Sequence, residues 1–160
     1  MRVINKKVFF YGSSEIFSNW HRCNFRIDNI KFNCSEQAMM YYKAKMFRDY
    51  EIADRILRSR NPKDQKQLGR EVRNFDENYW NNNREEVMYR ILLEKFSQNQ
   101  DFKKELLKYK DYDFVEASPY DRIWGIGLRE DNDLVLDESN WRGLNLLGKC
   151  LTRVCNELSK

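Results

Sequence analysis

Two periods of hydrophobic positions occur along the chain, and together they predict a fold that mixes helices with strands. Apolar and aromatic residues alternate in KVFFY, residues 7–11, and in FRIDNIKF, residues 25–32, where Asp28 and Asn29 favour a hairpin turn. Spacings of three and four residues indicate helices elsewhere. We predict helices over residues 35–47 and 50–59, a short one started by Asn61 and Pro62, a long one capped by Asp76 and extending through residues 87–96, a fifth over residues 101–109, and a final helix.

The C-terminal part of the chain combines a strand, an irregular loop and the final helix. YDFVEA, residues 112–117, predicts a strand that enters the loop SPYDRIWGIG, residues 118–127, where proline and glycine prevent regular structure. Asn145 and Gly148 interrupt the apolar stripe within the final helix. Glycine there costs ~1 kcal/mol relative to alanine, so close packing or the approach of a ligand must justify it. The stripe itself, which we expect to be buried, contains Leu144, Leu147, Leu151, Val154 and Leu158.

Nothing in the sequence suggests a second domain. The 160 residues contain no internal repeat, low-complexity tract or linker rich in proline and glycine. A chain of this length has the size of one typical domain, and 41% hydrophobic residues are enough for a packed core. We therefore expect a single α+β domain over residues 1–160, predominantly helical, with about six helices and a few short strands.

Composition and charge argue against several classes of function. No segment approaches the ~18 apolar residues of a membrane span, and a signal peptide is not recognisable, so we expect a cytoplasmic protein without a membrane partner. The net charge of +4 comes from 29 basic residues interleaved with 25 acidic ones, which does not imply tight nonspecific binding of nucleic acid. The four cysteines lack paired spacing and His21 is the only histidine, so we expect no metal site and no cofactor.

An acid and an amine share one stripe of the first predicted helix, NCSEQAMMYYKAKMF, with two large apolar residues. Glu36 and Lys43 are separated by about 10 Å along the helix axis and about 20° around it. This is too far for a simple salt bridge, and a group of the size of a ribose fits between the two side-chain ends. In the alternative interpretation, Glu36 is the acidic half of a capping box that begins at Asn33, and Lys43 only extends its amine to solvent.

Three further groups of residues could carry function or merely structure. In the loop SPYDRIWGIG, Asp121 and Trp124 could form a site, or the aspartate could bond local backbone amides while the tryptophan fills the core. Trp80 could be part of the core or a stacking surface for a flat heterocycle. We expect Arg70 and Arg73 to lie on adjacent helix positions, where they could clamp a phosphate.

Taken in order, these segments resemble the NADAR family, also called YbiA-like, from about residue 8 to residue 155. The most specific pieces are the S-E-x(6)-K helix, the spacing from Trp80 to Val87 and Met88, and the S-x-x-D-x-x-W-G loop. The segments that carry the resemblance are FYGSSEIFSNW, SEQAMMYYKAKMF, LGREVRNF, YWNNNREEVMYRILLEKF, VEASPYDRIWGIG and GLNLLGKCL.

The resemblance implies an enzyme, a hydrolase that acts on N-glycosyl compounds. Its expected reaction is cleavage at C1 of a phospho- or ADP-ribose joined to an amino-substituted heterocycle, such as the phosphoribosylaminopyrimidines of riboflavin synthesis. An alternative within the family is removal of ADP-ribose from guanine in DNA. The expected partners are therefore a ribosylated heterocycle or an ADP-ribosyl small molecule, and ADP-ribosylated DNA in the alternative. The segment LREDNDLVLDESNWR, after the glycine loop, is long and acidic and could cover a dinucleotide.

The resemblance also implies roles for individual residues. In the mechanism suggested for relatives, the lysine attacks the anomeric carbon and forms a Schiff base; the alternative is direct attack by water beside an oxocarbenium-like sugar. A neutral lysine requires desolvation, for which Met39, Met40 and Phe47 are candidates. The expected catalytic residues are Glu36, Lys43 and Asp121, and the expected substrate-binding residues are Asn19, Arg70, Trp80, Trp124, Gly125 and Asn145.

The sequence is also compatible with two hypotheses from other classes of protein. A noncatalytic module could bind ADP-ribose or a related nucleotide through Trp80, Trp124 and the arginines. A helical interaction protein could use the same aromatic residues only as its core. The noncatalytic module has no need of a desolvated amine, so Lys43 distinguishes an enzyme from it.

Overall fold

Six α-helices and five short strands make up the computed structural model, which describes all residues from 1 to 160. This confirms the predicted fold class, α+β and predominantly helical; the extent of the domain, residues 1–160, stays a prediction. No helix combines the length and the apolar composition that crossing a membrane requires. The elements are β1 (Arg2–Ile4), β2 (Lys7–Phe10), β3 (Phe25–Ile27), β4 (Ile30–Phe32), α1 (Ser35–Met46), α2 (Tyr50–Arg58), α3 (Pro62–Arg70), α4 (Glu77–Gln98), α5 (Gln100–Leu107), β5 (Asp113–Glu116) and α6 (Leu146–Leu158), with 3₁₀ turns at Asp133–Leu136 and Glu138–Asn140.

The chain divides into two compact units. Unit 1 contains residues 1–21 and 99–160, and unit 2 contains residues 22–98. The sheet β1-β2-β5 and helices α5 and α6 belong to unit 1, whereas the β3-β4 hairpin and helices α1 to α4 belong to unit 2.

The three-stranded sheet of unit 1 has one antiparallel and one parallel pair. β1 pairs antiparallel with β2, and β2 pairs parallel with β5, in a register that places Phe10 opposite Glu116. The buried side chains of one sheet face join those of the loop after β5 in one apolar cluster, because successive strand residues point to opposite faces. That cluster consists of Phe9, Val115, Ala117, Ile126, Leu128 and Val135.

Helix α6 begins later than its leucine pattern suggests. Leu144, predicted to belong to the buried helical stripe, precedes the helix and is 50% exposed. Asn145, predicted to lie within the helix, is instead its N-terminal flanking residue, with a left-handed backbone (φ 54°) that an asparagine tolerates better than most residues. Close packing excludes any side chain at position 148, since a Cβ added to Gly148 would overlap the carbonyl oxygen of Phe114. The packing explanation offered for this glycine is therefore confirmed.

Unit 2 begins with the predicted hairpin. Asp28 and Asn29 both have positive φ (51° and 64°), which gives the turn the twist that two antiparallel strands need. The predicted helix starts are also observed: Asn61 caps α3, with Pro62 in its first turn, and the carboxylate of Asp76 accepts from the N–H of Tyr79 at 3.1 Å.

The start of α1 contradicts the capping role considered for Glu36. The helix is capped by Cys34, whose Sγ accepts from the N–H of Gln37 at 3.4 Å. Gln37 in turn accepts from the N–H of Asn33 at 2.7 Å through its side-chain oxygen. Gln37 therefore makes a backward contact that resembles a capping box but reaches the residue before the cap, and Glu36 does not occupy the capping-box position.

Unit 2 also encloses a lysine without solvent contact. Lys95, on α4, is fully buried, and burial lowers the pKa of its amine to about 8, although the nearby Cys23 and Cys34 oppose this shift. At neutral pH the folded protein consequently holds a desolvated ammonium group. In the unfolded chain the same group is hydrated and keeps a pKa near 10.5.

Lys95 should make stability rise as the solution becomes more alkaline. Between pH 8 and pH 10.5 the unfolded chain binds the lysine proton more tightly than the folded chain does, so the free energy of unfolding increases with pH. We expect wild type to gain about 3 kcal/mol relative to Lys95→Met over this interval. Urea unfolding of both proteins at several pH values measures the difference, in which most contributions of other groups cancel. If the free energy of unfolding changes with pH in the same way in both proteins, Lys95 does not titrate over this interval.

Candidate active site

Glu36 and Lys43, the acid and the amine of α1, both lie in unit 2. Glu36 is only 4% exposed, whereas Lys43 is half-buried. The Lys43 amine donates a hydrogen bond to the carbonyl oxygen of Gly69 at 2.8 Å. This carbonyl lies in the last turn of α3, where backbone oxygens lack helical partners and carry the negative end of the helix dipole.

Two aromatic rings from other segments flank the Lys43 amine. The nitrogen lies 4.6 Å from the ring centre of Phe75 and 5.9 Å from that of Trp80. The sequence suggested Met39, Met40 and Phe47 as the apolar neighbours. All three are buried, Met39 and Met40 on the same helix and Phe47 directly after its end, and Phe47 packs against Phe75 with ring centres 5.3 Å apart. The rings facing the amine itself therefore come from the segment before α4 and from the first turn of α4.

The electrostatic environment of Lys43 has opposing components. Burial is the largest influence and lowers the pKa of the amine below its usual value; the guanidinium of Arg70 acts in the same direction. Glu36 opposes both because its negative charge favours the ammonium form. The two groups are therefore close enough to interact electrostatically, and the structure does not direct them into separate regions of solvent.

The expected clamp of Arg70 and Arg73 is wrong in its geometry. α3 ends at Arg70, so Arg73 does not occupy the next turn of the same helix. The guanidinium of Arg73 instead donates to buried Asp49, with its terminal nitrogen 2.9 Å and its Nε 3.2 Å from the carboxylate oxygens. These hydrogen bonds hold the pKa of the Asp49 carboxyl well below its usual range. Arg70 remains exposed and forms no salt bridge, so it alone stays a candidate for phosphate binding.

The loop after β5 gives Asp121 a structural role in unit 1. One of its carboxylate oxygens accepts from the N–H groups of Ile123 at 2.9 Å and Trp124 at 2.8 Å. The hydroxyl of Ser118 accepts from the N–H of Asp121 at 3.1 Å, so the aspartate is held on both sides. Gly125 is needed because an added Cβ would lie 2.9 Å from the carbonyl oxygen of Glu116. The bonding of local amides is confirmed, and the catalytic role of Asp121 stays a prediction.

Two asparagines of unit 1 differ in the hydrogen bonds that their side chains form. Asn145 is buried and uses both ends of its amide: it accepts from the N–H of Glu116 and donates to the carbonyl oxygen of Phe114, each at 3.0 Å. Asn19 is equally buried, but its side-chain oxygen has no hydrogen-bond partner. Because an unpaired buried acceptor is unfavourable, Asn19 is the better candidate for a contact with a ligand hydroxyl.

Comparing Asp121→Asn with Asp121→Ala separates the structural from the catalytic role of this residue. Asparagine keeps the accepting oxygen, so its stability should match wild type, whereas alanine should lose ~1–3 kcal/mol with two backbone amides left unpaired. If the charge takes part in catalysis, Asp121→Asn should lower kcat by ~10²-fold or more despite normal folding. Thermal unfolding and steady-state kinetics of both variants measure the two effects. Wild-type kcat in Asp121→Asn would leave this residue only its structural role.

A groove of about 630 Å³ between α2 and α3 contains neither Glu36 nor Lys43. Arg55, Arg58 and Arg60 line it together with residues of α3. The contacts of the Lys43 amine, Gly69, Phe75 and Trp80, do not line it either. The groove therefore lies outside the environment of the Lys43 amine.

Gly69 and Phe75 were not identified from the sequence as contacts of Lys43. Gly69 is buried so close to Met40 of α1 that an added Cβ would overlap the methionine sulfur. The only sequence signal was a glycine inside an otherwise regular helical pattern, which often marks close packing. Phe75 carries no comparable signal, because a single aromatic residue before a helix is more often part of a core.

The chain belongs to the NADAR family, whose domain matches residues 9–159. Protein irg-1 of Caenorhabditis elegans is 41% identical over 94% of this chain and 79% of the worm protein. An N-glycosidase of Acanthamoeba polyphaga mimivirus is 37% identical over 96% of both chains. These findings confirm the resemblance inferred from the sequence motifs.

The solved structure of a relative has the same fold. The NMR structure of the Escherichia coli protein YbiA superposes with a TM-score of 0.78 at 25% identity, over 96% of this chain and 84% of that one. YbiA of Shigella boydii is named an N-glycosidase and is 27% identical over 94% of this chain and 87% of its own length. At the level of the family, the predicted enzyme class, a hydrolase acting on N-glycosyl compounds, is confirmed.

Proposed function

We propose that this protein hydrolyses the N-glycosidic bond between C1 of a phospho- or ADP-ribose and an amino-substituted heterocycle, with Lys43 as the nucleophile. The observation that carries the proposal is the position of the Lys43 amine, flanked by aromatic rings, within electrostatic reach of buried Glu36. A surface lysine needs no such environment. Desolvation makes the neutral, nucleophilic amine more accessible at physiological pH.

The proposed reaction begins with attack of the neutral amine on the anomeric carbon. The bond between Lys43 Nζ and C1 forms as the bond between C1 and the heterocycle nitrogen breaks. Glu36 takes a proton from the new ammonium group and delivers it to the leaving nitrogen, so that the free base departs neutral. The bond between C1 and the ring oxygen then breaks as the ring oxygen takes a proton from solvent, and the nitrogen lone pair of Lys43 forms an iminium with C1 of the open sugar. Water adds to C1 and a proton returns to solvent; the C1–Nζ bond then breaks, which releases the sugar and regenerates the free lysine.

Neighbouring residues have separate roles in this scheme. The hydrogen bond from Lys43 to Gly69 orients the amine in the free enzyme, and it must break or be shared when the nitrogen lone pair attacks. Trp80, buried at the start of α4, offers a flat ring for the heterocycle. Arg70, exposed at the end of α3, supplies a cation for a phosphate of the substrate.

The name of one relative supports a substrate from riboflavin synthesis. A riboflavin biosynthesis protein of Vibrio vulnificus is 28% identical over 99% of this chain, although this match spans only 40% of that protein. This favours a phosphoribosylaminopyrimidine for the present chain. The competing substrate is ADP-ribosylated guanine in DNA, which presents the same C1–N bond.

Product analysis by mass spectrometry tests the proposal. The purified protein is incubated separately with a phosphoribosylaminopyrimidine and with DNA containing ADP-ribosylated guanine. We expect release of the free aminopyrimidine, with ribose 5-phosphate as the second product. Release of guanine-containing DNA alone would assign the competing substrate. Absence of cleavage of both, together with thermal stabilisation by ADP-ribose, would indicate a noncatalytic binding module.

A further inference from the structure

Phe75 is an aromatic residue whose ring lies against the Lys43 amine without being buried. The nitrogen is 4.6 Å from the ring centre, within the ~6 Å at which the electron-rich face of an aromatic ring attracts a cation. Trp80, which offers its ring to the heterocycle, lies farther from the nitrogen, at 5.9 Å. Of the two rings, Phe75 is therefore the one placed to act on charge at the nitrogen.

A role in the core does not account for the position of Phe75. This residue is 43% exposed, whereas Phe47, against which it packs, is only 8% exposed. The two rings meet edge to face, with their planes inclined at 70°, and this contact holds Phe75 beside the amine. A ring that served only to remove apolar area from water would be turned into the core. Phe75 instead contacts Lys43 while much of its ring stays accessible.

The proposed reaction places positive charge on Lys43 Nζ at two stages. The nitrogen becomes cationic as its lone pair forms the bond to C1, and again in the iminium after the sugar opens. An ammonium group has three N–H donors, but the iminium nitrogen has only one, so hydrogen bonds such as that to Gly69 satisfy it less fully. Attraction to an aromatic face depends on the charge and not on a particular N–H, so it persists when donors are lost.

We propose that Phe75 is a further catalytic residue of this site, whose ring stabilises the positive charge that develops on Lys43 Nζ during attack and remains in the iminium. The inference rests on the proposed function, because it requires Lys43 to be the nucleophile. No bond to Phe75 forms or breaks, and the ring takes no proton. Its contribution is an attraction that is strongest where the nitrogen is most positive.

The effect of the ring on the rate depends on pH. Below the pKa of Lys43 the resting amine is already a cation that the ring stabilises, so the gain in the transition state is nearly cancelled. Above that pKa the resting amine is neutral, and the ring favours only the transition state. Loss of the electron-rich face should therefore lower kcat/KM mainly at alkaline pH, and should lower the pKa of Lys43. Glu36 and Arg70, the charged groups that act on this amine, are unchanged by the substitution.

Phenylalanine analogues with one, two or three fluorine atoms on the ring at position 75 test this role, because fluorine withdraws electrons from the ring face with little change in shape. We expect the alkaline limit of kcat/KM to fall with each fluorine, by about 5-fold for three, while the pKa of Lys43 falls by up to about 1. Phe75→Leu, which is apolar but has no ring, should show the same two changes, whereas Phe75→Tyr should show neither. Steady-state kinetics with a phosphoribosylaminopyrimidine over a range of pH measure both quantities.

Tyr50 provides a matched control. Its ring is 54% exposed and lies 4.8 Å from the amine of Lys45, a lysine of the same helix that has no part in the proposed reaction. Tyr50→Leu should therefore have the wild-type pH profile. The pKa of Lys43 is also measured in the free protein, by acetylation at a series of pH values and mass spectrometry of the peptide. This second measurement tests the contact between ring and amine without hydrolysis.

The outcomes separate this inference from the proposed function. If Lys43→Met is inactive but the fluorinated proteins keep the wild-type alkaline limit, Phe75 has no catalytic role and the proposed function stands. A loss of activity in Phe75→Leu without a graded loss in the fluorinated series also overturns the inference, because the shape of the ring and not its charge distribution then matters. If Lys43→Met retains full turnover, the proposed function fails, and the role of Phe75 fails with it.

Discussion

Lys43→Met should reduce kcat by about 10⁴-fold or more while the protein remains folded, because removal of a covalent nucleophile eliminates the route that divides hydrolysis into two easier steps. Methionine keeps most of the length and the apolar stem of lysine, so its packing against Phe75 and Trp80 should be preserved. Single-turnover release of the free base, followed by mass spectrometry, measures the loss.

Two further variants define what this loss means. Lys45 is an exposed lysine on the same helix, and Lys45→Met should have wild-type kcat. Lys43→Arg retains the positive charge but is never neutral at the pH of the assay, so it should be as inactive as the methionine variant. Substantial turnover in Lys43→Arg would mean that the positive charge, and not nucleophilic attack, is what the reaction needs.

Glu36→Gln should lower kcat by ~10²–10⁴-fold, since the amide cannot carry a proton from the attacking amine to the leaving nitrogen. The side chain is buried and the two residues have nearly the same shape, so the change removes the charge with little change in packing. Steady-state kinetics with a phosphoribosylaminopyrimidine measure the effect. Glu36→Asp, which keeps the carboxylate but withdraws it by one methylene, should retain more activity than Glu36→Gln.

The pH profile of Glu36→Gln provides an independent readout. In wild type, Glu36 raises the pKa of Lys43, so its removal should lower that pKa further. Attack requires the neutral amine, and kcat/KM therefore rises as pH increases through this pKa. The rise should occur at lower pH in the variant than in wild type. An unchanged profile, together with reduced kcat, would indicate that Glu36 and Lys43 do not interact in the free enzyme.

Local sequence signals were sufficient to predict much of the fold. Asn61, Pro62 and Asp76 mark helix starts through bonds to backbone groups only a few residues away, and Asp28 and Asn29 define a hairpin turn by their own backbone conformations. The stripe that contains Glu36 and Lys43 depends on the geometry of one helix alone. For these features, the residues that determine the structure are neighbours in sequence.

The sequence-based predictions failed where two local patterns compete, or where residues distant in sequence determine the structure. The leucine period extends through Leu144, yet the left-handed backbone at Asn145 delays the start of α6. Arg73 was assigned to a phosphate because its buried partner, Asp49, lies 24 positions earlier and is not signalled by any motif. The contacts of Lys43 with Gly69 and Phe75 also join separate segments, so helical periodicity could not reveal them.

Borohydride trapping detects the proposed iminium between Lys43 and the opened sugar. The protein is mixed with a phosphoribosylaminopyrimidine, reduced during turnover, digested and analysed by mass spectrometry. We expect a stable ribose phosphate adduct on the peptide that contains Lys43, and no adduct in Lys43→Met or without substrate. Full turnover with no adduct on Lys43 would exclude covalent catalysis by this residue and would favour direct attack by water.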